Sequence, residues 1–181
     1  MALRDVLQFP DKRLRRVSQP IGAITDEIRA LAHDMCEVMY DEPGIGLAAP
    51  QVGEAIRLIV VDTEWTEEDA ERNPLILVNP QLSEHEGKIV WTEGCLSVPD
   101  FQAEVERAAR VRLRAQTLDG DEVDIRAEDV QAVCFQHEVD HLDGVLFIDH
   151  ISRLKRSRYE MRRKKQLRRE QEEEAGAQVP A

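Results

Sequence analysis

The sequence predicts one α+β domain, and three observations support this fold class. Short strand-like runs precede the most apolar helix, two of these runs form a hairpin, and no strand–helix–strand rhythm of a doubly wound sheet is present. The length of 181 residues fits a single domain. No run of about 18 apolar residues occurs, so no membrane span is expected.

The first predicted helix covers residues 25–41. Thr25 is a suitable N-cap, and Asp26 and Glu27 suit the first turn. The apolar side chains recur with helical spacing on one face, which predicts that this face packs on the core. These side chains are Ile28, Leu31, Met35 and Met39. The Gly- and Pro-bearing residues 42–46 end the helix.

The predicted strands lie between this helix and the next one. Residues 56–62 are apolar and rich in β-branched side chains, which predicts a buried strand. Residues 75–78 and 88–91 predict two shorter strands. Residues 111–115 and 123–125 alternate with period two on either side of an Asp-Gly turn, which predicts a hairpin with one wet face.

The second predicted helix covers residues 128–143 and ends at Gly144, which suits the C′ position. It has two apolar faces, so we expect it to be central and buried. One face begins apolar and ends in three groups that carry chemistry. Its members are Val130, Val133, Cys134, His137, Glu138 and His141.

This helix contains the motif H-E-x-x-H at residues 137–141. The spacing of four residues places both imidazoles on one side of the helix, one turn apart. Glu138 lies beside the first histidine, so its carboxylate can take a proton from water without being a ligand. The other interpretation is a pair of core histidines or a chance match, but the buried setting favours a metal site.

Two histidines do not complete a catalytic zinc site, which uses three protein ligands. The extended motif with a third histidine fails because position 147 is Phe. The remaining candidates are Cys95, His33, His85, His150 or an acidic residue. Cys95 is preferred because it follows a short strand, beside Gly94, and lies outside any apolar stripe.

The Gly-rich residues 44–53 have small side chains that let a ligand or backbone approach closely. Gln51 is a candidate inward-pointing hydrogen-bond donor within them. The segment lacks the G-K-[ST] of a phosphate loop.

Three sparse cysteines argue against a disulfide framework and favour a reducing cytoplasm.

Charge is divided unevenly along the chain. Residues 151–181 carry ten Lys or Arg and five Asp or Glu, so the total of −12 leaves −17 on residues 1–150. An acidic body should not bind nucleic acid over its surface, whereas the basic tail is suited to it. Residues 152–169 predict a helix, and disorder is expected from Gln171 to Ala181.

Three segments together resemble the peptide deformylase family. Its motifs G-x-G-x-A-A-x-Q, E-G-C-x-S and Q-H-E-x-D-H are matched in order by residues 44–51, 93–97 and 136–141. The resemblance extends over residues 3–155. It implies antiparallel sheets packed around the helix that carries H-E-x-x-H, with a C-terminal helix. The implied activity is metal-dependent hydrolysis of the formyl group from the N-terminal formylmethionine of newly made proteins, which releases formate.

The resemblance also implies the roles of individual residues. Cys95, His137 and His141 become the metal ligands, and Glu138 becomes the general base and acid. The Gln51 amide and the Leu96 backbone N–H become donors to the formyl oxygen. The implied lining of the methionine pocket is Ile45, Gly46, Glu93, Val130, Val133 and Cys134. This sequence departs from well-known bacterial members at Gln102, where they carry arginine, and at Trp91, where a smaller aliphatic residue is common.

The metal and partners follow from the same resemblance. Two imidazoles and a thiolate favour zinc by general chemistry. The resemblance implies native iron(II), with zinc, nickel or cobalt as other forms, and we adopt iron(II). We expect a cytoplasmic monomer with a catalytic domain at residues 1–150, acting on nascent formylmethionyl peptides. The basic helix in residues 151–181 is expected to contact the ribosome, or else to be only a solvated extension.

Two other functions share some of these features. A metallopeptidase also carries H-E-x-x-H. The absence of a third His or of a downstream helix with a Glu ligand, and the presence of E-G-C-L-S, argue against it. A structural zinc module with a nucleic-acid-binding tail would need a closed site, usually with four ligands. The chain shows three strong ligands and a glutamate where a base is needed.

Overall fold

A computed structural model describes residues 4–65 and 71–177. These ranges contain three α-helices: Asp26–Asp41 (α1), Asp129–Leu142 (α2) and Arg153–Ala177 (α3). They contain seven strands: Gly46–Ala48 (β1), Leu58–Val61 (β2), Leu75–Glu86 (β3), Ile89–Cys95 (β4), Val98–Arg107 (β5), Arg110–Gln116 (β6) and Glu122–Glu128 (β7). The predicted α+β class is confirmed.

All strand pairs in the two sheets are antiparallel. The larger sheet has the order β1-β2-β3-β6-β7, and β4 and β5 form a separate two-stranded sheet. The predicted hairpin is confirmed as β6–β7, in which Leu113 pairs with Ile125. The end of β4 lies against helix α2, and this contact positions the site described below.

Strands β3 and β4 are longer than predicted, and β1 and β5 were not predicted. Strand β3 continues from Val78 to Glu86 through an irregular register, which its proline and polar residues concealed. Strand β5 was not predicted, although its buried positions alternate. One of those buried positions is Arg107, and a charged residue at a core position breaks the apolar alternation on which strand prediction depends.

Helix α2 is the central element of the fold. It packs against β1, β2, β3, β6 and β7, and its Phe135 and Leu142 are fully buried. Gly144 follows it with a φ of +74°, the left-handed C′ conformation predicted from the sequence. Helix α1 covers the sheet near β1 and β2, and the Thr25 side chain accepts from the Ile28 N–H as predicted. The core therefore fixes α2 on both sides, as its two apolar faces indicated.

Helix α3 begins as predicted but extends past Arg169 to Ala177. Gln, Glu and Ala, which are good helix formers, predominate in this extension. The disorder expected from Gln171 to Ala181 stays a prediction. Residues 178–181 lie outside the described residues. Within the described ranges, no helix is both long and apolar enough to cross a membrane.

Candidate metal centre and substrate cleft

Three ligand-type side chains converge where β4 ends against α2. Cys95 is the last residue of β4, and His137 and His141 lie one turn apart on α2. The Cys95 Sγ lies 3.2 Å from His141 Nε2. One ligand atom from each of the three residues lies within 4.8 Å of the others. Among the described residues, no other His, Cys, Asp or Glu group of three meets this criterion.

The other candidates for a third ligand lie elsewhere. His33 and His85 are exposed on α1 and β3. His150 follows the short helical turn at Phe147–Asp149, and its Nε2 lies 2.7 Å from Asp140 Oδ2. The geometry therefore brings Cys95, and none of these histidines, to the pair on α2.

The three side chains suit a divalent transition metal. Thiolate sulfur and imidazole nitrogen are the donor types that such ions prefer. Burial is the main cause that lowers the pKa of His141 well below its usual value. A histidine held neutral in this way can give its Nε2 lone pair to a metal. The residues present therefore fit the metal that the motif predicts.

A buried carboxylate orients His137. Glu93 Oε2 lies 2.8 Å from His137 Nδ1, which leaves the other ring nitrogen directed away from Glu93. Burial by itself would raise the pKa of Glu93, but hydrogen bonds from His137 and Arg107 lower it to about 2. A metal-binding histidine is commonly held by such a carboxylate, which fixes its tautomer and ring orientation.

Arg107 connects this carboxylate to the surface. Its Nε donates to Glu93 Oε1 at 2.7 Å, and its Nη1 donates to Asp140 Oδ2 at 2.6 Å. Its side chain is only 5% exposed, so both carboxylates are needed to compensate its buried charge. The sequence analysis did not identify Arg107. The feature that could have identified it is a single arginine at an inward-facing position of an alternating strand.

Glu138 lies in the same buried region but has no hydrogen-bond partner for its Oε2 atom. Burial is the main cause that raises its pKa to about 7, with Glu93 and Asp140 adding to the effect. A carboxyl group with this pKa can both accept and release a proton at neutral pH. Gly46 leaves the space for it, because a Cβ on Gly46 would overlap the Glu138 carboxylate.

Gln51 faces the site from the helical turn Ala49–Val52. Its Oε1 accepts from the Ala48 N–H at 2.8 Å, so its NH₂ group must point the other way, toward Ser97 Oγ at 3.2 Å and Cys95 Sγ at 3.6 Å. The side chain is buried, with 2% of the residue exposed. Gln51 is therefore a donor with a fixed direction beside the Cys95 thiol.

A cleft of about 860 Å³ opens onto these groups. Its lining includes Gln51, Cys95, Leu96, His137 and Glu138. It also includes all six residues assigned to the methionine pocket: Ile45, Gly46, Glu93, Val130, Val133 and Cys134. Trp91 and Gln102, where the sequence departs from the family pattern, line the same cleft.

The cleft contains three kinds of chemical group. They are a set of metal-binding donors, a carboxylate suited to proton transfer and a buried amide donor. Together they define a metal-dependent hydrolase that acts on a carbonyl substrate.

Comparison with known proteins identifies the family. The sequence model of the polypeptide deformylase family matches residues 3–157. The peptide deformylase of Hyphomonas neptunium is 55% identical over 160 residues, which cover 87% of this chain and 90% of the relative. That of Afipia carboxidovorans is 53% identical over 159 residues, with coverage of 87% and 92%. The crystal structure of a peptide deformylase from Legionella pneumophila superposes with a TM-score of 0.85 at 37% identity, covering 99% of this chain and all of that one.

The chain belongs to the polypeptide deformylase family. Its activity is therefore the metal-dependent hydrolysis that removes the N-formyl group from nascent peptides. This family membership confirms the resemblance and excludes the metallopeptidase and the structural zinc module as the chain's main function.

Proposed function

We propose that Cys95, His137 and His141 hold one divalent metal, natively iron(II), at the base of the cleft. The observation that carries this proposal is the convergence of their three ligand atoms within 4.8 Å. Iron(II) follows the family, while the donor types also suit zinc, nickel and cobalt. When bound, the metal lowers the pKa of water from ~15.7 toward ~7 and polarises the formyl oxygen.

Glu138 is the proton carrier of the reaction. Its carboxylate accepts a proton from the water that attacks the formyl carbon. It then delivers that proton to the nitrogen as the C–N bond breaks, so formate and a free amine are released. Its burial and its pKa near 7 suit both steps, since neither protonation state is strongly favoured at neutral pH.

Gln51 and Leu96 stabilise the charge that develops on the formyl oxygen. The Gln51 NH₂ group is already aimed into the site because the Ala48 N–H holds the other end of the amide. The backbone N–H of Leu96 is assigned as the second donor. Donors fixed before the reaction cost no reorganisation when the oxygen gains charge, which makes them effective.

The methionine side chain is assigned to the apolar part of the cleft. Val130, Val133 and Cys134 lie on the α2 face that precedes His137, and Ile45 and Gly46 lie opposite them at the start of β1. Glu93 borders this pocket, but its carboxylate is engaged by His137 and Arg107. The pocket therefore suits an apolar side chain beside the reacting group.

A formate-release assay tests this function. The purified chain, reconstituted anaerobically with iron(II), is incubated with formyl-Met-Ala-Ser and with the acetylated peptide as a control. We expect stoichiometric formate from the formyl peptide and little product from the acetyl peptide. Cleavage of an internal peptide bond, or no formate at any metal loading, would contradict it.

We further propose that residues 1–150 perform the reaction and that α3 contacts ribosomal RNA, in the cytoplasm and as a monomer. Most basic residues of α3 are exposed: Arg153, Lys155, Arg158, Arg162, Lys164, Lys165, Arg168 and Arg169. Leu154 and Met161 are also strongly exposed on this helix. Such a surface attracts a phosphate backbone in a salt-dependent way.

Charge reversal tests the ribosome contact. Arg158→Glu/Arg168→Glu changes two exposed charges on α3, and Lys12→Glu/Arg16→Glu makes the same charge change on the opposite terminal segment. We expect only the α3 variant to cosediment less with ribosomes, and the wild-type association to fall with salt. If the α3 variant pelleted like the wild type, α3 would be only a solubilising extension.

A further inference from the structure

One side of α3 is packed against the body, in contrast to its basic exposed side. Tyr159 is 2% exposed and Arg163 is 6% exposed. A buried guanidinium needs partners to offset its lost hydration. Arg163 Nη2 donates to Gln8 Oε1 at 2.7 Å, and its Nε donates to the Phe9 carbonyl at 3.2 Å.

Three of the residues that α3 contacts line the substrate cleft. Gln8, Asp100 and Phe101 all line the cleft that contains Gln51, Cys95 and Glu138. Arg162 Nη2 donates to the Asp100 carbonyl at 3.2 Å. The Tyr159 ring stacks on the Phe101 ring with centroids 4.8 Å apart. Three contacts, made by Tyr159, Arg162 and Arg163, therefore join α3 to one wall of the cleft.

The contact with Arg163 fixes which way the Gln8 amide faces. Arginine has only donors, so it must meet the amide oxygen of Gln8. The NH₂ group of Gln8 consequently points away from Arg163. Within the part of the chain that the structure describes, no acceptor takes a hydrogen bond from this exposed NH₂ group. It is therefore available to a carbonyl group that enters the cleft.

We propose that Arg163 is a positioning residue that orients Gln8 to donate to a backbone carbonyl of the peptide following the formylmethionine. The inference rests on the proposed use of this cleft. A hydrogen bond from a neutral amide to a backbone carbonyl does not depend on which side chain the substrate residue carries. It thus suits an enzyme that must accept many sequences after methionine. Helix α3 then has two functions, one on each side.

Kinetics with two substrates test the proposal. Formyl-Met-Ala-Ser has carbonyl groups beyond methionine, whereas formylmethionine has only its own carboxyl group. We expect Gln8→Leu and Arg163→Met each to raise the KM for the tripeptide ~5–10-fold, the cost of one hydrogen bond, with kcat unchanged. The KM for formylmethionine should not change. Lys12→Met, at an exposed position on the same terminal segment, is the matched control.

A double variant distinguishes positioning from separate structural effects. Because Arg163 acts through Gln8, the double variant should raise KM no more than either single variant. Arg163→Lys keeps a donor for the Gln8 oxygen and should restore much of the affinity. Additive effects, equal effects on both substrates, or an unchanged KM in Gln8→Leu would overturn the proposal. Gln8 is exposed, so its variant decides the question even if Arg163→Met does not fold. Loss of formate release by the wild type would instead contradict the proposed function.

Discussion

Helix α2 lines the substrate cleft and helix α3 contacts residues of its wall, and the two helices are built in opposite ways. Helix α2 buries its chemically active residues between two sheets, where Glu138 and His141 are 4% and 1% exposed. Helix α3 exposes most of its charge and buries only Tyr159 and Arg163 among its described side chains. In α2 the core fixes each reactive atom, so substitutions should abolish metal binding or turnover. In α3 the contacts lie at the surface, so substitutions should change affinity.

The largest expected effect is at the metal ligands. Cys95→Ala removes the thiol that converges with the two α2 histidines, and we expect metal content and formate release to fall together, activity by more than ~10³-fold. Cys36→Ala, which removes a buried thiol of α1, should retain metal. Metal analysis and formate release of the two variants check this. Full occupancy in Cys95→Ala would contradict the assigned ligand set.

A smaller effect is expected at Gln51. Gln51→Leu removes the fixed donor but none of the ligands, so kcat should fall ~10²–10³-fold while metal content stays the same. Gln81→Leu, at an exposed position of β3, controls for the loss of a glutamine. An unchanged kcat in Gln51→Leu would show that the formyl oxygen lies elsewhere in the cleft.

Arg107 tests how far the buried network of α2 extends. Arg107→Met leaves Glu93 and Asp140 without their shared partner, so His137 should be held less firmly. We expect the metal affinity, measured by competition with a chelator, to fall ~10–100-fold. Arg112→Met breaks the contacts of a half-buried arginine with Glu84 and Asp124, away from the cleft, and should leave metal affinity unchanged. Equal affinities in the two variants would contradict the role of Arg107.

An effect on stability rather than on activity is expected away from the cleft. Burial alone would raise the pKa of Asp62, but hydrogen bonds from Tyr40 Oη at 2.6 Å and from the N–H groups of Asn73 and Trp65 lower it. A lowered pKa stabilises the fold above the unfolded-state value of ~3.9, and this contribution is lost as pH falls through the folded-state value.

Asp62→Asn should therefore destabilise the fold by about 1.5–3 kcal/mol at neutral pH, and the difference from the wild type should shrink below pH ~4. Thermal unfolding at pH 7 and in acid measures it. Asp119→Asn, at an exposed position, is the control for the loss of one carboxylate. A difference that grew in acid would have the wrong sign for this explanation.

Features that depend on local spacing could be predicted from the sequence. The two α2 histidines, Gly144 after the helix and the β6–β7 hairpin each follow from periodicity or from one special residue. The setting of Cys95 made it the preferred third ligand but left other candidates open, and the family motif then assigned it. The motif places it at the end of a strand, which is where the structure brings it to α2.

Features that depend on distant packing could not be predicted. Arg107 lies outside each motif, and the pairing of β5 with β4 brings it to Glu93. Arg163 looks like one more member of a basic run until the fold places it on Gln8. In both cases a charged side chain is buried by partners that no local pattern identifies.

The central claim is that Glu138 moves protons beside a metal that it does not hold. Glu138→Gln keeps the shape of the side chain but removes its ability to carry a proton. Metal content and single-turnover formate release of this variant, reconstituted with iron(II), test the claim most directly. We predict full metal content with turnover at least ~10²–10⁴-fold below the wild type. Wild-type turnover, or loss of the metal as in Cys95→Ala, would contradict it.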